Sequence, residues 1–185
     1  MSRHVVLDIH LAAIRGFLDR VLAVVDGEVN QAWSREEAGE FEDEDDFDNA
    51  LFGPFMTEEI ALRAVLHELN SLVESELQSL ASEPFHRRNP SPNWLKDRQV
   101  HDLHYPELKK LIESHYAVRL DDLPGSGEIE EIRRKINAFK HRAGFKDPRK
   151  DKDWKTLGDK VKLDREEAHL YLQSVSDFLR ALWAA

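Results

Sequence analysis

Cysteine is absent from this chain of 185 residues. Its absence excludes a disulfide framework, thiolate zinc sites, iron–sulfur clusters and a cysteine nucleophile. Long apolar runs are missing too, because charged residues and histidines interrupt the most hydrophobic segment, residues 5–25. A bilayer span needs roughly 20 apolar residues, and a signal peptide needs a basic start and a small-residue cleavage site that this segment lacks. We therefore expect a cytoplasmic protein without a membrane partner.

The sequence also lacks the motifs of several enzyme classes. It contains no glycine-rich phosphate loop, no serine-nucleophile motif and no dinucleotide fingerprint, so no cofactor is expected. Two incomplete metal patterns occur. His101 and His104 lie three residues apart without a third histidine, and Glu166-x-x-His169 is one half of a di-iron motif whose second half is missing. A metal-binding four-helix oxidase is therefore the weakest hypothesis, and we expect no metal site.

Negative charge is concentrated in one segment of the chain. The formal net charge is −10, from 26 Lys and Arg against 36 Asp and Glu. Residues 36–48 hold nine of those acids and no base, so the rest of the chain carries 27 acids against 26 bases. The acidic total therefore disfavours a protein covered in phosphate contacts but does not exclude an anionic ligand such as RNA.

The acidic segment 36–48 has two interpretations. A run of this composition is typical of a solvated, mobile loop. Phe41 and Phe47 lie inside it, however, so the alternative is an acidic-aromatic segment that docks on a basic surface of this protein or of a partner. We expect the mobile loop.

Apolar spacings of three and four residues predict five amphipathic helices. They cover residues 4–25 with a stop at Gly27, from Thr57 to before Pro84, 106–117, 128–143, and from a capping box at Asp164 to the C-terminus. A weaker helical stretch continues the first of them through Val29 and Trp33. Irregular segments separate them at 84–98, 123–127 and 144–163. No repeat or alternating strand pattern is visible. The fold class expected for residues 1–185 is a single all-α domain, a bundle of about five helices with long irregular loops.

The fourth predicted helix carries the most informative pattern. At 100° per residue one face collects apolar side chains and is the predicted core face; these are Ile129, Ile132, Ile136, Phe139 and Ala143. Arg134, Asn137 and His141 fall together on the opposite face, at relative angles of about 0°, 300° and 340°. An arginine, an amide and a histidine along about two turns can address one ligand.

This pattern resembles the HEPN superfamily, the higher-eukaryote and prokaryote nucleotide-binding helical domains. Its hallmark is an arginine separated from a histidine by four to six residues on a late helix of an α-helical bundle. Six residues separate Arg134 from His141, and Asn137-x-x-Lys140-His141 is similar to segments in some members. The resemblance covers roughly residues 57–185. It implies a metal-independent endoribonuclease of the toxin–antitoxin or defence type, acting as a homodimer on RNA, with an antitoxin as a second possible partner.

The resemblance and the local charge together assign roles. Arg134, Asn137 and His141 are the predicted catalytic residues. Residues 133–155 hold ten bases and three acids. Within them the predicted substrate-binding residues are Lys135, Lys140, Arg142, Lys146 and Trp154. Trp154 and Phe145 are candidates for stacking on nucleobases. Many catalytic members have Asn, Asp or His after the arginine, where this chain has Lys135. The alternative function is therefore a non-catalytic helical module that binds RNA, nucleotide or a protein partner.

Overall fold

The structure is a computed structural model that describes residues 3–88, 100–146 and 159–185. These residues form five α-helices: α1 (Arg3–Glu37), α2 (Glu44–Arg88), α3 (Tyr105–Tyr116), α4 (Ser126–Arg142) and α5 (Arg165–Ala184). A short 3₁₀ helix (Leu120–Asp122) precedes α4. Strand-like pairing in the described residues is limited to one isolated bridge between Phe145 and Lys160. The predicted all-α class is confirmed.

The first two helices are longer than predicted. The α1 helix continues through Gly27 to Glu37, and α2 begins at Glu44, thirteen residues before Thr57. Glycine costs about 1 kcal/mol in a helix interior, but the turns beyond Gly27 bury Ala32, so packing outweighs propensity. Likewise Pro54 lies inside α2 and is buried. No described helix contains a stretch apolar enough to cross a membrane.

The acidic segment 36–48 is mostly helical, in contrast to the predicted loop. Only residues 38–43 lie between α1 and α2. The side chain of Asp43 accepts a hydrogen bond from the backbone N–H of Asp46 (3.0 Å), and three acids occupy the first turn of α2. The capping hydrogen bond and the three acids both stabilise a helix N-terminus, because the exposed N–H groups there attract negative charge. Acidic residues therefore begin α2 here.

The two phenylalanines of the acidic segment join an aromatic cluster. Phe47 is buried and packs edge-on against Trp33, with ring centroids 4.7 Å apart. Phe41 lies 5.7 Å from Phe47, and the guanidinium of Arg35 lies 4.5 Å from the ring centroid of Phe41. Aromatic and cation–π contacts of this kind contribute about 1 kcal/mol each. The aromatic residues thus fold this segment onto the end of α1.

The chain divides into two compact units. Unit 1 comprises residues 1–67 and 162–169, and unit 2 comprises residues 68–161 and 170–185. In unit 1, Arg165 at the start of α5 donates two hydrogen bonds to Glu58 on α2 (2.8 and 2.6 Å) and lies 2.8 Å from Asp26 on α1. These hydrogen bonds, to Glu58 first and then to Asp26, raise the pKa of Arg165 above its ordinary value. One guanidinium thus links three helices.

Unit 2 has a conventional apolar core. Its largest fully buried side chains come from α2, α3, the 3₁₀ helix, α4 and α5; they include Leu69, Leu77, Leu108, Ile112, Leu120, Ile129, Ile132, Ile136, Tyr171, Leu172 and Phe178. The phenol of Tyr116 donates a hydrogen bond to the carbonyl of Leu80 (3.2 Å), which ties α3 to α2. The predicted cap of α5 is confirmed: Asp164 accepts a hydrogen bond from the backbone N–H of Glu167 (2.8 Å).

Candidate functional site: the exposed face of α4

A close approach at Gly125 fixes the start of α4. Gly125 has a φ of +76°, and an added Cβ would lie 2.4 Å from the carbonyl oxygen of Ser174 on α5. Only glycine satisfies both conditions, because a side chain is strained at this φ and would collide with backbone. The hydroxyl of Ser126 also donates to the carbonyl of Asp121 (2.8 Å). The first turn of α4 is therefore seated against α5.

Burial along α4 determines which face is available to a ligand. Ile129, Ile132 and Ile136 are each at most 2% exposed, as the pattern predicts. The predicted core face is wrong at its C-terminal end. Ala143 is exposed and adopts a left-handed conformation (φ +50°) because the helix has already ended at Arg142. Ala138 is buried in the last turns instead.

The three predicted catalytic residues lie off the buried face of α4. Asn137 and His141 are exposed, and Arg134 is half-buried. Arg134 and His141 are seven residues apart in an unbroken helix, so their Cα atoms are separated by about 10 Å along the axis. Because Arg134 lies two turns before His141 and Asn137 lies between them, side chains of this length can contact one phosphodiester group and its ribose.

The predicted substrate-binding residue Lys135 is placed differently from the other bases. Only 5% of it is exposed. Its Nζ lies 3.6 Å from an oxygen of Glu131 and 5.3 Å from the ring centroid of Tyr171 on α5. A buried lysine requires such partners, because desolvation of its charge is costly. The protein itself thus surrounds this lysine, and the exposed bases further along α4 are the ones accessible to a ligand.

Arg133 is also held by the protein. Its guanidinium stacks 3.5 Å from the ring centroid of Tyr105 and donates two hydrogen bonds to the carboxylate of Glu130 (3.2 and 3.0 Å). Burial, and next the negative charge of Glu130, raise the pKa of the Tyr105 phenol above its ordinary value. Acids within α4 therefore balance Arg133 and Lys135. The count of ten bases in residues 133–155 overstates the positive charge that a ligand meets.

The accessible bases surround the C-terminal end of α4. Lys140 is exposed, whereas Arg142 and Lys146 are half-buried. Arg142 donates from Nε to the carbonyl of Phe145 (3.2 Å). Gly144 turns the chain at φ +83°, with the ring of Phe139 against it. Of the other two predicted binding residues, Lys135 is buried and Trp154 lies outside the described residues, as do the four bases of residues 147–158.

The structure brings Phe145 and Lys160 together at this end of α4. Backbone hydrogen bonds from Lys146 to Asp159 and from Val161 to Gly144, both 2.7 Å, bring the chain back beside the helix. They place the Nζ of Lys160 at 5.8 Å from the ring centroid of Phe145, whose ring is partly exposed. Phe145 was visible in the sequence as a stacking residue. Lys160 is missed by sequence analysis, because eighteen residues separate it from His141 and no local pattern connects them.

The histidines of the two incomplete metal patterns make other contacts. The Nδ1 atom of His101 lies 2.8 Å from the side-chain oxygen of Gln78, and the backbone N–H of His104 donates to Glu107 at the start of α3 (2.9 Å). His169 lies 3.8 Å from Asp19. Across residues 3–88, 100–146 and 159–185, no three His, Asp or Glu side chains are grouped so that they could hold a metal ion.

Comparison with known proteins adds no relative. No protein-family model, no curated protein and no solved structure matches this chain. The HEPN resemblance therefore rests on the residues of α4 and on the order of the helices. What the geometry itself defines is an α-helical protein with an exposed Asn–His face beside a half-buried arginine, next to accessible bases and one partly exposed aromatic ring.

Proposed function

We propose that this protein is a HEPN-like endoribonuclease that cleaves RNA without a metal ion at the exposed face of α4. The observation that carries the proposal is the placement of Arg134, Asn137 and His141 at i, i+3 and i+7 of a helix whose opposite face is anchored in the core of unit 2. The buried face fixes the backbone positions from which these side chains extend, and catalysis requires such positioning.

Each residue has a role in phosphodiester chemistry. His141 accepts the proton of the ribose 2′-hydroxyl or protonates the leaving oxygen, since imidazole side chains exchange protons near neutral pH. Arg134 donates paired hydrogen bonds to the phosphoryl oxygens and stabilises the charge that develops on them. Asn137, between the two, orients the imidazole or holds a ribose hydroxyl. None of these roles needs a metal or a cofactor.

The surroundings of His141 favour an anionic, single-stranded substrate. Lys140 and Lys160 are exposed, Arg142 and Lys146 are half-buried, and Phe145 presents part of its ring beside Lys160. Single-stranded nucleic acids are bound by this combination of bases along the backbone and aromatic rings against the nucleobases. The resemblance further suggests a cytoplasmic toxin or defence protein, a homodimer with two motifs facing one cleft, and an antitoxin as partner.

One observation favours a second function. The position after the arginine, polar in many catalytic HEPN proteins, is here the buried Lys135, held by Glu131 and Tyr171. A side chain used for packing does not assist a reaction. A non-catalytic module that binds RNA, a nucleotide or a protein partner through the same face of α4 is therefore the alternative.

The experiment is an RNA cleavage assay in EDTA with single-stranded and structured RNA. Arg134→Ala and His141→Ala should each lower the cleavage rate at least 100-fold, the lower range for loss of an acid–base group. Arg119→Ala and His169→Ala are the matched controls, because the Arg119 side chain is largely exposed, the His169 side chain is partly exposed, and neither residue belongs to α4. Binding without cleavage supports the alternative function. Cleavage that survives both α4 substitutions contradicts the assignment.

A further inference from the structure

The N-terminal part of α2 has a second apolar strip on its exposed side. Phe47 and Pro54 are buried on the opposite side of the helix. The exposed strip has the spacing i, i+3, i+4 and i+8 and consists of Phe52, Phe55, Met56 and Ile60, which we call the α2 strip. Phe52, Phe55 and Ile60 are 65%, 54% and 58% exposed. Large apolar side chains gathered along one exposed helix face are typical of an interaction surface.

The rings of the α2 strip differ from the two that fold the acidic segment. Phe41 and Phe47 contact each other and the end of α1 through Arg35 and Trp33. Phe52, by contrast, is the most exposed large hydrophobic side chain among the described residues. Packing within unit 1 therefore explains Phe41 and Phe47 but leaves the α2 strip open to solvent.

Acidic side chains flank the α2 strip. Residues 36–60 hold eleven acids and no base. Among them Asp45, Asp48 and Glu59 are exposed. At 100° per residue these three lie within about 40° of Phe52 around the helix, and they span about 21 Å along its axis. Negative charge thus lies at both ends of the α2 strip and on the same side of the helix.

The arginines that contact this segment neutralise little of its charge. Arg35 lies 3.0 Å from Glu40, and Arg63, one turn beyond the α2 strip, lies 3.0 Å from Glu59. The arginine of α5 that links three helices contacts Glu58. These pairs involve three of the eleven acids. Residues 36–60 therefore keep a large excess of negative charge, which a partner with positive charge complements.

The acids determine which class of ligand the α2 strip accepts. They repel RNA and anionic membranes, and a second copy of this chain would bring two acidic segments together. A small molecule needs a concave site, whereas the strip lies on the convex surface of one helix. In the described part of the chain no three His, Asp or Glu side chains are grouped to hold a metal ion. Lysines and arginines that alternate with apolar side chains along a protein segment match both the apolar and the acidic parts.

We propose that the α2 strip and its flanking acids bind a basic, amphipathic segment of a partner protein. Apolar side chains of that segment cover Phe52 and Phe55, and its lysines or arginines pair with the acids at the two ends of the strip. The covered aromatic rings supply most of the affinity, while the charges select the partner and speed its association. This inference does not rest on the proposed ribonuclease function, because the α2 strip belongs to unit 1 and α4 belongs to unit 2.

A synthetic peptide tests the charge of the occupant. The probe is a fluorescein-labelled peptide of two LKKLLKL repeats, which as a helix has leucines on one side and lysines on the other. Fluorescence anisotropy measures its affinity for the full chain at low salt. We expect saturable binding that is about tenfold tighter than that of the matched peptide with glutamate in place of lysine. Equal affinities, or no saturable binding of the lysine peptide, contradict the proposal.

Serine substitutions test the apolar part of the surface. Phe52→Ser and Phe55→Ser should each weaken binding of the lysine peptide by about fivefold, because an aromatic ring at the centre of a contact is lost. Leu170→Ser is the matched control at an exposed leucine of unit 2 and should leave the affinity unchanged. Equal affinities for all three variants would overturn the proposal. So would a concentration-dependent mass above 21.5 kDa that Phe52→Ser abolishes, since a second copy would then cover the strip.

Neutralising substitutions separate the flanking acids from the net charge of the chain. Asp45→Asn with Asp48→Asn should weaken binding of the lysine peptide by about threefold at low salt and by less at high salt. Asp102→Asn with Asp122→Asn changes the net charge equally at two exposed aspartates of unit 2 and should have little effect. Circular dichroism verifies that α2 stays helical in each variant. Equal weakening by the two pairs would mean that the peptide senses net charge alone, which contradicts a defined site.

Discussion

Units 1 and 2 differ in what their helices present to solvent. Of the eleven large hydrophobic side chains that are exposed among the described residues, nine belong to unit 1, and only Phe145 and Leu170 belong to unit 2. In unit 2 the helices α3 and α4 bury one apolar stripe and expose polar residues. In unit 1 the α1 helix and the N-terminal part of α2 are apolar on more than one side. Unit 1 therefore exposes most of the large apolar side chains, whereas the exposed residues of α3 and α4 in unit 2 are mainly polar.

The largest expected effect on the free energy of unfolding comes from comparing one glycine substitution in each unit. Gly125→Ala in unit 2 should lower the free energy of unfolding by more than about 2 kcal/mol, because a Cβ meets the backbone of Ser174 at 2.4 Å and φ is positive. Gly27→Ala in unit 1 should raise it by about 0.5–1 kcal/mol, since this glycine lies inside α1 with nothing within 4 Å. Urea unfolding monitored by circular dichroism measures both. Equal effects would show that the close approach at Gly125 is not formed.

Two isoleucines test burial directly. Ile132 in unit 2 is 1% exposed and Ile60 in unit 1 is 58% exposed. We expect Ile132→Ala to cost about 2–4 kcal/mol through lost burial and a residual cavity, and Ile60→Ala to change stability by less than about 0.5 kcal/mol. Thermal unfolding at low protein concentration compares them. A large loss at Ile60 would mean that this side chain is covered in solution, and the contrast between the units would fail.

The ion cluster of unit 1 has a smaller expected effect. Arg165→Gln removes the guanidinium shared by Glu58 and Asp26 and should cost about 1 kcal/mol, because the Arg165 side chain is 37% exposed and solvent screens the charges. Arg119→Gln is the control, since its pair with Asp122 is 3.7 Å long and largely exposed, and it should have no measurable effect. Denaturation midpoints in low and high salt separate the two. Equal midpoint shifts for both variants would argue against the three-helix link.

The smallest effect concerns pH and is confined to unit 2. The raised pKa of Tyr105 means that the folded protein holds this proton more tightly than the unfolded chain does. The resulting stabilisation is complete below about pH 10, the ordinary pKa of a phenol. It is lost as pH rises above 10 toward the folded-state pKa. Absorbance at 295 nm should show no ionisation of Tyr105 before unfolding. Tyr105→Phe should therefore leave the native titration unchanged, and a lost ionisation step below pH 11 would contradict the buried phenol.

Helix boundaries were predictable where a helix has one apolar stripe and clear ends. The α3 helix lies one residue from the predicted start, α4 starts two residues before its prediction, and α5 begins directly after the predicted cap Asp164. The main predicted segment of α1 ends twelve residues early, or four if its weaker continuation to Trp33 is counted, and the predicted start of α2 is thirteen residues late. Gly27, Pro54 and the acidic run are local signals against helix, and burial of Ala32, Phe47 and Pro54 outweighs them.

In the candidate site, too, some features follow from the sequence and others do not. The angular position of Arg134, Asn137 and His141 follows from helical periodicity once the isoleucines define the buried face. The burial of Lys135 does not follow from periodicity, because its charge predicts exposure. Contacts of its ammonium group with Glu131 and the ring of Tyr171 help to make that burial tolerable. Lys160 beside Phe145 is equally inaccessible to a pattern search, since the backbone pairing that brings them together joins distant residues.

The sequence by itself determined the all-α class, the amphipathic stripes of α3–α5, and the residue types on the outer face of α4. These properties depend on periodicity and on residues a few positions apart, which a linear chain displays directly. Tertiary structure decided how far α1 and α2 extend, that the acidic segment folds onto an aromatic cluster, and that a lysine of α4 is buried. It also left several large apolar side chains of α1 exposed. These outcomes depend on contacts between distant residues, whose burial energy exceeds the local preferences of the chain.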